Sequence, residues 1–277
     1  MSPNRLERRF ADLKAQNRSA FVAYVMAGDP DPETALDILQ GLPGAGADVI
    51  ELGFPFSDPM AEGPPIQRAS LRALKAGMTL NGTLDLVRRF RKGDAETPVV
   101  LMGYLNPLLT HGLDAFARDA ADAGIDGLIV VDCPPEEADP LADALDSVGI
   151  SLIRLATPTT DDHRLKTVVK RTSGFVYYVS VAGVTGVKEA DADLIAPAVA
   201  RVRAASGLPV CVGFGIKTPA RAAEVARVAD GAVVGSVLVD QIAEALSTGQ
   251  PPAAKVLETA GSLAKAVRSA RLAAAEA

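Results

Sequence analysis

Eight short, nearly uninterrupted apolar runs recur along this chain, separated by segments with helical patterning. They are Phe21-Val-Ala-Tyr-Val-Met, Asp48-Val-Ile-Glu-Leu, Pro98-Val-Val-Leu-Met, Gly127-Leu-Ile-Val-Val, Ser151-Leu-Ile-Arg-Leu, Gly174-Phe-Val-Tyr-Tyr-Val, Pro209-Val-Cys-Val-Gly and Gly231-Ala-Val-Val. Strands that are apolar throughout, instead of alternating, are buried on both faces and belong to parallel sheets. The intervening segments carry helix start signals. Asp31-Pro32-Glu33 opens one helix with Pro at its first position, Thr160-Asp-Asp opens another, and Thr218-Pro219 a third. The pieces at 45–48, 123–126 and 147–150 each put a Gly at a helix end just before a strand. Eight strands alternating with helices predict the α/β class and a closed (β/α)₈ TIM barrel, with an open doubly wound sheet as the lesser option.

No linker or low-complexity stretch divides the 277 residues, so one barrel domain over 1–277 is expected. Leu6, Phe10 and Leu13 fall at i, i+4 and i+7 and predict an extra N-terminal helix. The long segment 54–80 after strand 2 has room for a further helix. Residues 253–277 read as an Ala-rich amphipathic helix outside the barrel, frayed beyond about residue 270.

A net charge of −6 argues against nucleic acid or an anionic membrane as the main partner. Aromatic residues make up 4% and Trp is absent, so no platform for stacking bases is visible. No apolar run approaches the roughly 18 residues of a membrane-spanning helix. Cys133 and Cys211 sit in apolar runs and read as small buried hydrophobes. Neither has metal-site spacing, His111 and His163 lie far apart, and no metal is expected. Glu7 and Asp12 in the first helix are unlike a leader, and a reducing cytoplasm is the natural compartment.

Chemistry concentrates after strand 2. Glu51 ends an apolar run, and the Gly/Pro-rich loop that follows carries Asp58 and Glu62. One acid fixed on a strand and another on a mobile loop suit acid–base work on a small molecule. Strands 7 and 8 end in Gly213-Phe-Gly215-Ile-Lys217 and Gly235-Ser236, the second leading straight into a helix. In a barrel, such turns bind phosphate through main-chain N–H groups. Lys217 is close enough to help, although it reads more simply as a solvated helix-start lysine. The loop from Ser180 to Lys188 has two glycines and reads either as a lid or as a plain connection. For Asp132 a catalytic role and a loop-organising or helix-capping role are both open; Tyr177 either lines a pocket or fills the barrel. Arg154, among apolar neighbours, is expected in a strand-end salt bridge.

Taken together, Glu-Leu-Gly-Phe-Pro-Phe-Ser-Asp-Pro (51–59), Gly-Pro-Pro-Ile-Gln (63–67), Met-Gly-Tyr-Leu-Asn-Pro (102–107), Ala-Gly-Val-Thr-Gly (182–186), Gly-Phe-Gly-Ile (213–216) and Val-Gly-Ser (234–236) resemble the tryptophan synthase alpha subunit family. The resemblance runs from about residue 5 to residue 265. It implies a lyase that cleaves indole-3-glycerol phosphate into indole and glyceraldehyde 3-phosphate by a retro-aldol reaction, with Glu51 as acid and then base. Glu62 stands where the family usually has Asp and would hold the indole N–H. On the same resemblance Tyr24, Met102, Ile129, Leu155, Tyr177 and Phe214 line the indole pocket. Main-chain groups of Gly186, Gly215, Gly235 and Ser236 hold the phosphate, and Thr185 bonds the loop acid when the lid closes.

The resemblance also implies a pyridoxal-phosphate beta subunit as partner in an αββα complex. Pro55, Asp58, Asn106 and Pro134 match its docking face, and no cofactor is implied on this chain. Two rivals stand beside this reading. One is another phosphate-binding barrel enzyme on a related sugar phosphate; the other is a largely non-catalytic subunit that activates its partner.

Overall fold

The computed structural model describes residues 4–180, 192–213 and 215–271. Eight parallel strands close into a barrel in chain order: β1 (Ala20–Met26), β2 (Val49–Gly53), β3 (Val99–Gly103), β4 (Gly127–Val130), β5 (Ser151–Ala156), β6 (Val176–Val179), β7 (Val210–Gly213) and β8 (Gly231–Val234). β8 returns to β1 with Ala20 opposite Gly231 and Ala23 opposite Val234. All eight apolar runs are strands, each within two residues of its expected limits. Every strand position is buried except Leu155, which is half-buried; this double-sided burial is what selected the unbroken apolar pattern.

Among the described residues the helices are α1 (Arg5–Ala15), α2 (Pro32–Gly41), α3 (Pro64–Lys75), α4 (Leu80–Arg91), α5 (Leu105–His111), α6 (Leu113–Ala123), α7 (Asp139–Val148), α8 (Asp162–Val169), α9 (Ala192–Ser206), α10 (Pro219–Val228), α11 (Ser236–Thr248) and α12 (Pro252–Ser269). The extra helices expected at the N-terminus, after strand 2 and at the C-terminus are α1, α3 and α12. α12 packs on α10, α11 and α2, burying Val256, Ala260, Leu263, Ala264 and Val267. One further extra helix, α5, was not expected. Its seven residues, with Pro107 in the first turn, are too few to show a period. The helix expected to open at Thr160 instead has Asp161 as its cap, accepting the Arg164 N–H at 2.7 Å, while the Thr160 hydroxyl takes the Thr157 N–H.

α1 closes the N-terminal end of the barrel. Asn4 and Glu7 exchange side-chain and backbone hydrogen bonds at its start, and Leu6, Phe10 and Leu13 are buried. Leu6 lies against Gly174, which has φ +74° and where a Cβ would come within 2.8 Å of Leu6 Cδ2. At the same end three carboxylates tie neighbouring strands together. Asp48, Asp126 and Asp230 each precede an even-numbered strand and accept, at 2.9 Å, an N–H from the strand before it, that of Phe21, Val99 and Val210 respectively. Each also has an arginine: Arg18 for Asp48, Arg5 and Arg91 for Asp126, and Arg203 for Asp230.

Candidate active site

Register places the site. Tyr24 pairs with Glu51 and Glu51 with Val100; two residues on, Met102 pairs with Ile129. Ile129 pairs with Ile153, and two residues on, Leu155 pairs with Tyr177. Since strand side chains alternate, all of these point to one side of the sheet, and Glu51 shows that side to be the barrel interior. Glu51 is 1% exposed, and among the described residues its Oε2 has no hydrogen-bond partner. Burial, with the charge of Glu62 adding to it, raises the Glu51 pKa to about 8.

Glu62 comes from the loop between β2 and α3, is 9% exposed, and has a pKa raised by burial to about 7. Both groups therefore titrate near neutrality, the range in which a carboxyl can both give and take protons. The loop is braced on several sides. The Ala61 N–H donates to the Tyr104 hydroxyl at 2.9 Å, and Gln67 of α3 donates to the Glu62 carbonyl at 2.9 Å. The Ser70 hydroxyl accepts the Phe56 N–H and donates to the Phe56 carbonyl. α3 is in turn held to the end of β1 by Arg72, which meets both carboxylate oxygens of Asp29 at 2.6 and 2.8 Å.

The two acids open into one cavity of about 310 Å³. Tyr24, Met102 and Tyr177 line it beside them, and Gly215, Gly235 and Ser236 line it from the ends of β7 and β8. Gly215 has φ +78°, a conformation that favours Gly. Among the described residues no side chain caps the first turn of α11, which begins at Ser236, so the positive end of a helix presents main-chain N–H groups at this part of the cavity and makes it an anion recess. Lys217 is exposed yet lines the same cavity, and among the described residues no carboxylate lies within 4.0 Å of it.

Not every expected residue is brought together. Ile129 is fully buried in the barrel wall and Leu155 half-buried beside Tyr177; among the described residues neither lines the cavity. Thr185, Gly186 and Phe214 lie outside the described residues. Of the residues matched to a docking face, Asp58 and Pro134 are exposed in the loops after β2 and β4 and Asn106 is exposed in α5, whereas Pro55 is buried. Asp132 organises structure: it accepts the Leu105 N–H at 2.8 Å and so caps α5. Arg154 makes no salt bridge among the described residues. It is 5% exposed and donates to the Cys133 carbonyl at 2.7 Å, because the β4 loop offers it a carbonyl closer than any carboxylate. Tyr104, Ile66 and Asp240 were missed by sequence reading. Tyr104 was visible as a polar aromatic closing strand 3, but its partner is 43 residues away. Cys133 and Cys211 are buried free thiols whose pKa values burial raises.

A barrel whose acids and anion recess share one cavity fits several phosphate-handling families; the chain's relatives separate them. The family model described as "Tryptophan synthase alpha chain" matches residues 10–268. The chain belongs to the tryptophan synthase alpha chain family. The tryptophan synthase alpha chain of Phenylobacterium zucineum (strain HLK1) is 73% identical over 271 residues, covering 98% of each chain. That of Caulobacter sp. (strain K31) is 70% identical over 272 residues, covering 98% of this chain and 99% of that one. Among solved structures, tryptophan synthase subunit alpha from Legionella pneumophila str. Paris superposes with a TM-score of 0.90 at 43% identity, over 96% of this chain and 99% of that chain. A Mycobacterium tuberculosis tryptophan synthase structure gives 0.86 at 38% identity over 96% and 99%. As a tryptophan synthase alpha chain homologue the protein is a lyase of L-tryptophan biosynthesis.

Proposed function

We propose that the cavity binds indole-3-glycerol phosphate and cleaves it by a retro-aldol step in which Glu51 moves both protons. The observation that carries this reading is the pair of buried carboxyls, with pKa values near 8 and 7, opening into one cavity with a main-chain anion recess. Near pH 7 Glu51 holds its proton and can deliver it to C3 of the indole ring. The ring N–H then carries developing positive charge, which the Glu62 carboxylate offsets. Glu51, now ionised, takes the proton from the adjacent side-chain hydroxyl. The carbon–carbon bond breaks, its electrons return to the ring, and indole and glyceraldehyde 3-phosphate result. The phosphate sits at Gly215, Gly235 and Ser236, and Tyr24, Met102 and Tyr177 flank the ring.

This step asks for no metal or organic cofactor on this chain; pyridoxal phosphate is assigned to the beta partner. Family membership gives the chain a beta subunit as partner. The finer reading is an αββα tetramer, allosterically coupled, working in the cytoplasm. The segments after β2, β3 and β4 would meet the partner through Asp58, Asn106 and Pro134. Met60 and Leu109, 81% and 55% exposed, add apolar surface to the first two of these segments. Among the described residues no helix is long and apolar enough to cross a membrane.

The test is indole release from indole-3-glycerol phosphate with and without added beta subunit. Turnover alone that rises with beta is expected. Stimulation of beta by a chain that releases no indole would leave an activating subunit; neither effect would leave another sugar-phosphate enzyme.

A further inference from the structure

Among the described residues no hydrogen bond reaches the Glu62 carboxyl, so backbone anchors decide where that carboxyl stands. Three anchors are present. The Glu62 N–H to the Pro59 carbonyl, at 3.1 Å, is internal to the loop. Gln67 reaches the Glu62 carbonyl from α3, itself an appended helix. The remaining anchor, the Tyr104 hydroxyl on the Ala61 N–H, comes from the residue that directly follows β3 and thus from the barrel wall. Tyr104 is 3% exposed and stacks on Phe56 with ring centroids 5.1 Å apart. Phe56 is pinned through both backbone groups by Ser70, so the phenol has little freedom to move.

We propose that Tyr104 is a positioning residue of the cleavage reaction: its hydroxyl, by holding the Ala61 N–H, sets the distance of the Glu62 carboxyl from the substrate ring and from Glu51. Glu62 is a long side chain on a loop whose other bonds come from within it or from the appended α3, and an ångström of drift at its carboxyl is enough to weaken a charge aimed at a transition state. The phenol stays neutral in this role, because burial pushes its pKa up to about 12. The inference rests on the lyase reading given above.

The experiment is Tyr104→Phe, which keeps the ring and its stack and deletes only the hydroxyl. The expected result is a kcat for indole release lowered roughly 10-fold, a KM within twofold, and a displaced acidic limb of the kcat–pH profile. Binding of glycerol 3-phosphate should be unchanged, and adding Tyr104→Phe to Glu62→Gln should cost little more than Glu62→Gln alone. Ala61→Pro removes the same bond from an exposed loop residue and should give the same phenotype, which guards against misfolding of the aromatic variant. An unaltered kcat and pH profile in both variants, or a full additional loss in the Glu62→Gln background, would overturn the proposal. A parent chain that releases no indole would instead defeat the lyase reading, and this inference with it.

Discussion

The two ends of the barrel use the same functional group in opposite ways. At the N-terminal end the Asp126 carboxylate, 2% exposed, has Arg5, Arg91 and the Val99 N–H around it. Asp48 and Asp230 repeat the arrangement with Arg18 and Arg203. At the C-terminal end Glu51 is as deeply buried, yet among the described residues one of its oxygens has no partner, and burial raises its pKa to about 8. A buried carboxylate surrounded by donors is a structural clamp. One left without them holds a proton it can lend, which is a cost to folding and, on the function proposed above, the source of chemistry. Between Asp126 and Glu51 the difference lies in the partners, since both are carboxyls and their burial is nearly the same.

The comparison breaks if charge at the top is dispensable. Glu51→Gln keeps the shape of the side chain and removes its proton transfer, so indole release should fall by about 10³-fold or more. The same variant should be more stable than the parent. The folded chain holds the Glu51 proton more tightly than the unfolded chain, so this group lowers stability as pH rises from 4.5 through about 8. Removing the charge should raise stability at pH 7, by at most about 3 kcal/mol, and leave it unchanged below pH 4.5. Thermal melts at the two pH values check the sign; a variant less stable than the parent at pH 7 would contradict it.

Glu62→Gln is expected next, at roughly 10²-fold in kcat, because the amide cannot offset positive charge on the ring. The pair as a whole predicts a narrow bell, with activity needing Glu62 ionised above about pH 7 and Glu51 protonated below about pH 8. Glu62→Gln should erase the acidic limb and move the basic one to lower pH, because the Glu62 charge helps to raise the Glu51 pKa.

Asp126→Ala is the mirror experiment at the other end. It takes the only carboxylate partner from Arg5 among the described residues, takes one of several partners from Arg91 and removes the acceptor of the Val99 N–H, and should cost about 3 kcal/mol of stability. The kcat of the folded fraction should not change. If activity per folded molecule fell as far as stability did, the division of labour between the two ends would be wrong.

Much of this asymmetry could be read before any coordinates. The strands declared themselves because burial on both faces forces unbroken apolar runs, and an acid among them, as at Glu51, stands out against that background. The glycines ending α6 and α7, Gly124 and Gly149, adopt the left-handed conformation their place before a strand demanded. What stayed hidden depends on contacts across the chain. Asp48 and Asp126 were visible in their Ala-Gly-x-Asp settings, but their clamping role needs the pairing of β1 with β2 and of β3 with β4. Arg154 looked like half of an ion pair and instead braces a carbonyl. Ile129 and Leu155 point inward as expected, yet pointing inward in a closed barrel does not guarantee reaching its mouth.

Lys217 gives the smallest effect and the finest test of what holds the anion. It stands at the cavity rim beside Gly215, exposed and with no carboxylate within ion-pair distance among the described residues. Across the same cavity Asp240 is engaged by Arg68 at 3.7 Å, which blunts its repulsion of a phosphate. An exposed cation contributes about 0.2–1 kcal/mol and is screened by salt. Lys217→Ala should therefore weaken glycerol 3-phosphate binding about twofold to fivefold at low ionic strength, raise KM in step and leave kcat alone. The difference should vanish near 1 M salt, where the screening length shrinks to about 3 Å. Equal affinities at low salt would assign the anion to main-chain groups alone. A loss that survives high salt would mean the lysine makes a desolvated contact, closer to the phosphate than its exposed position suggests.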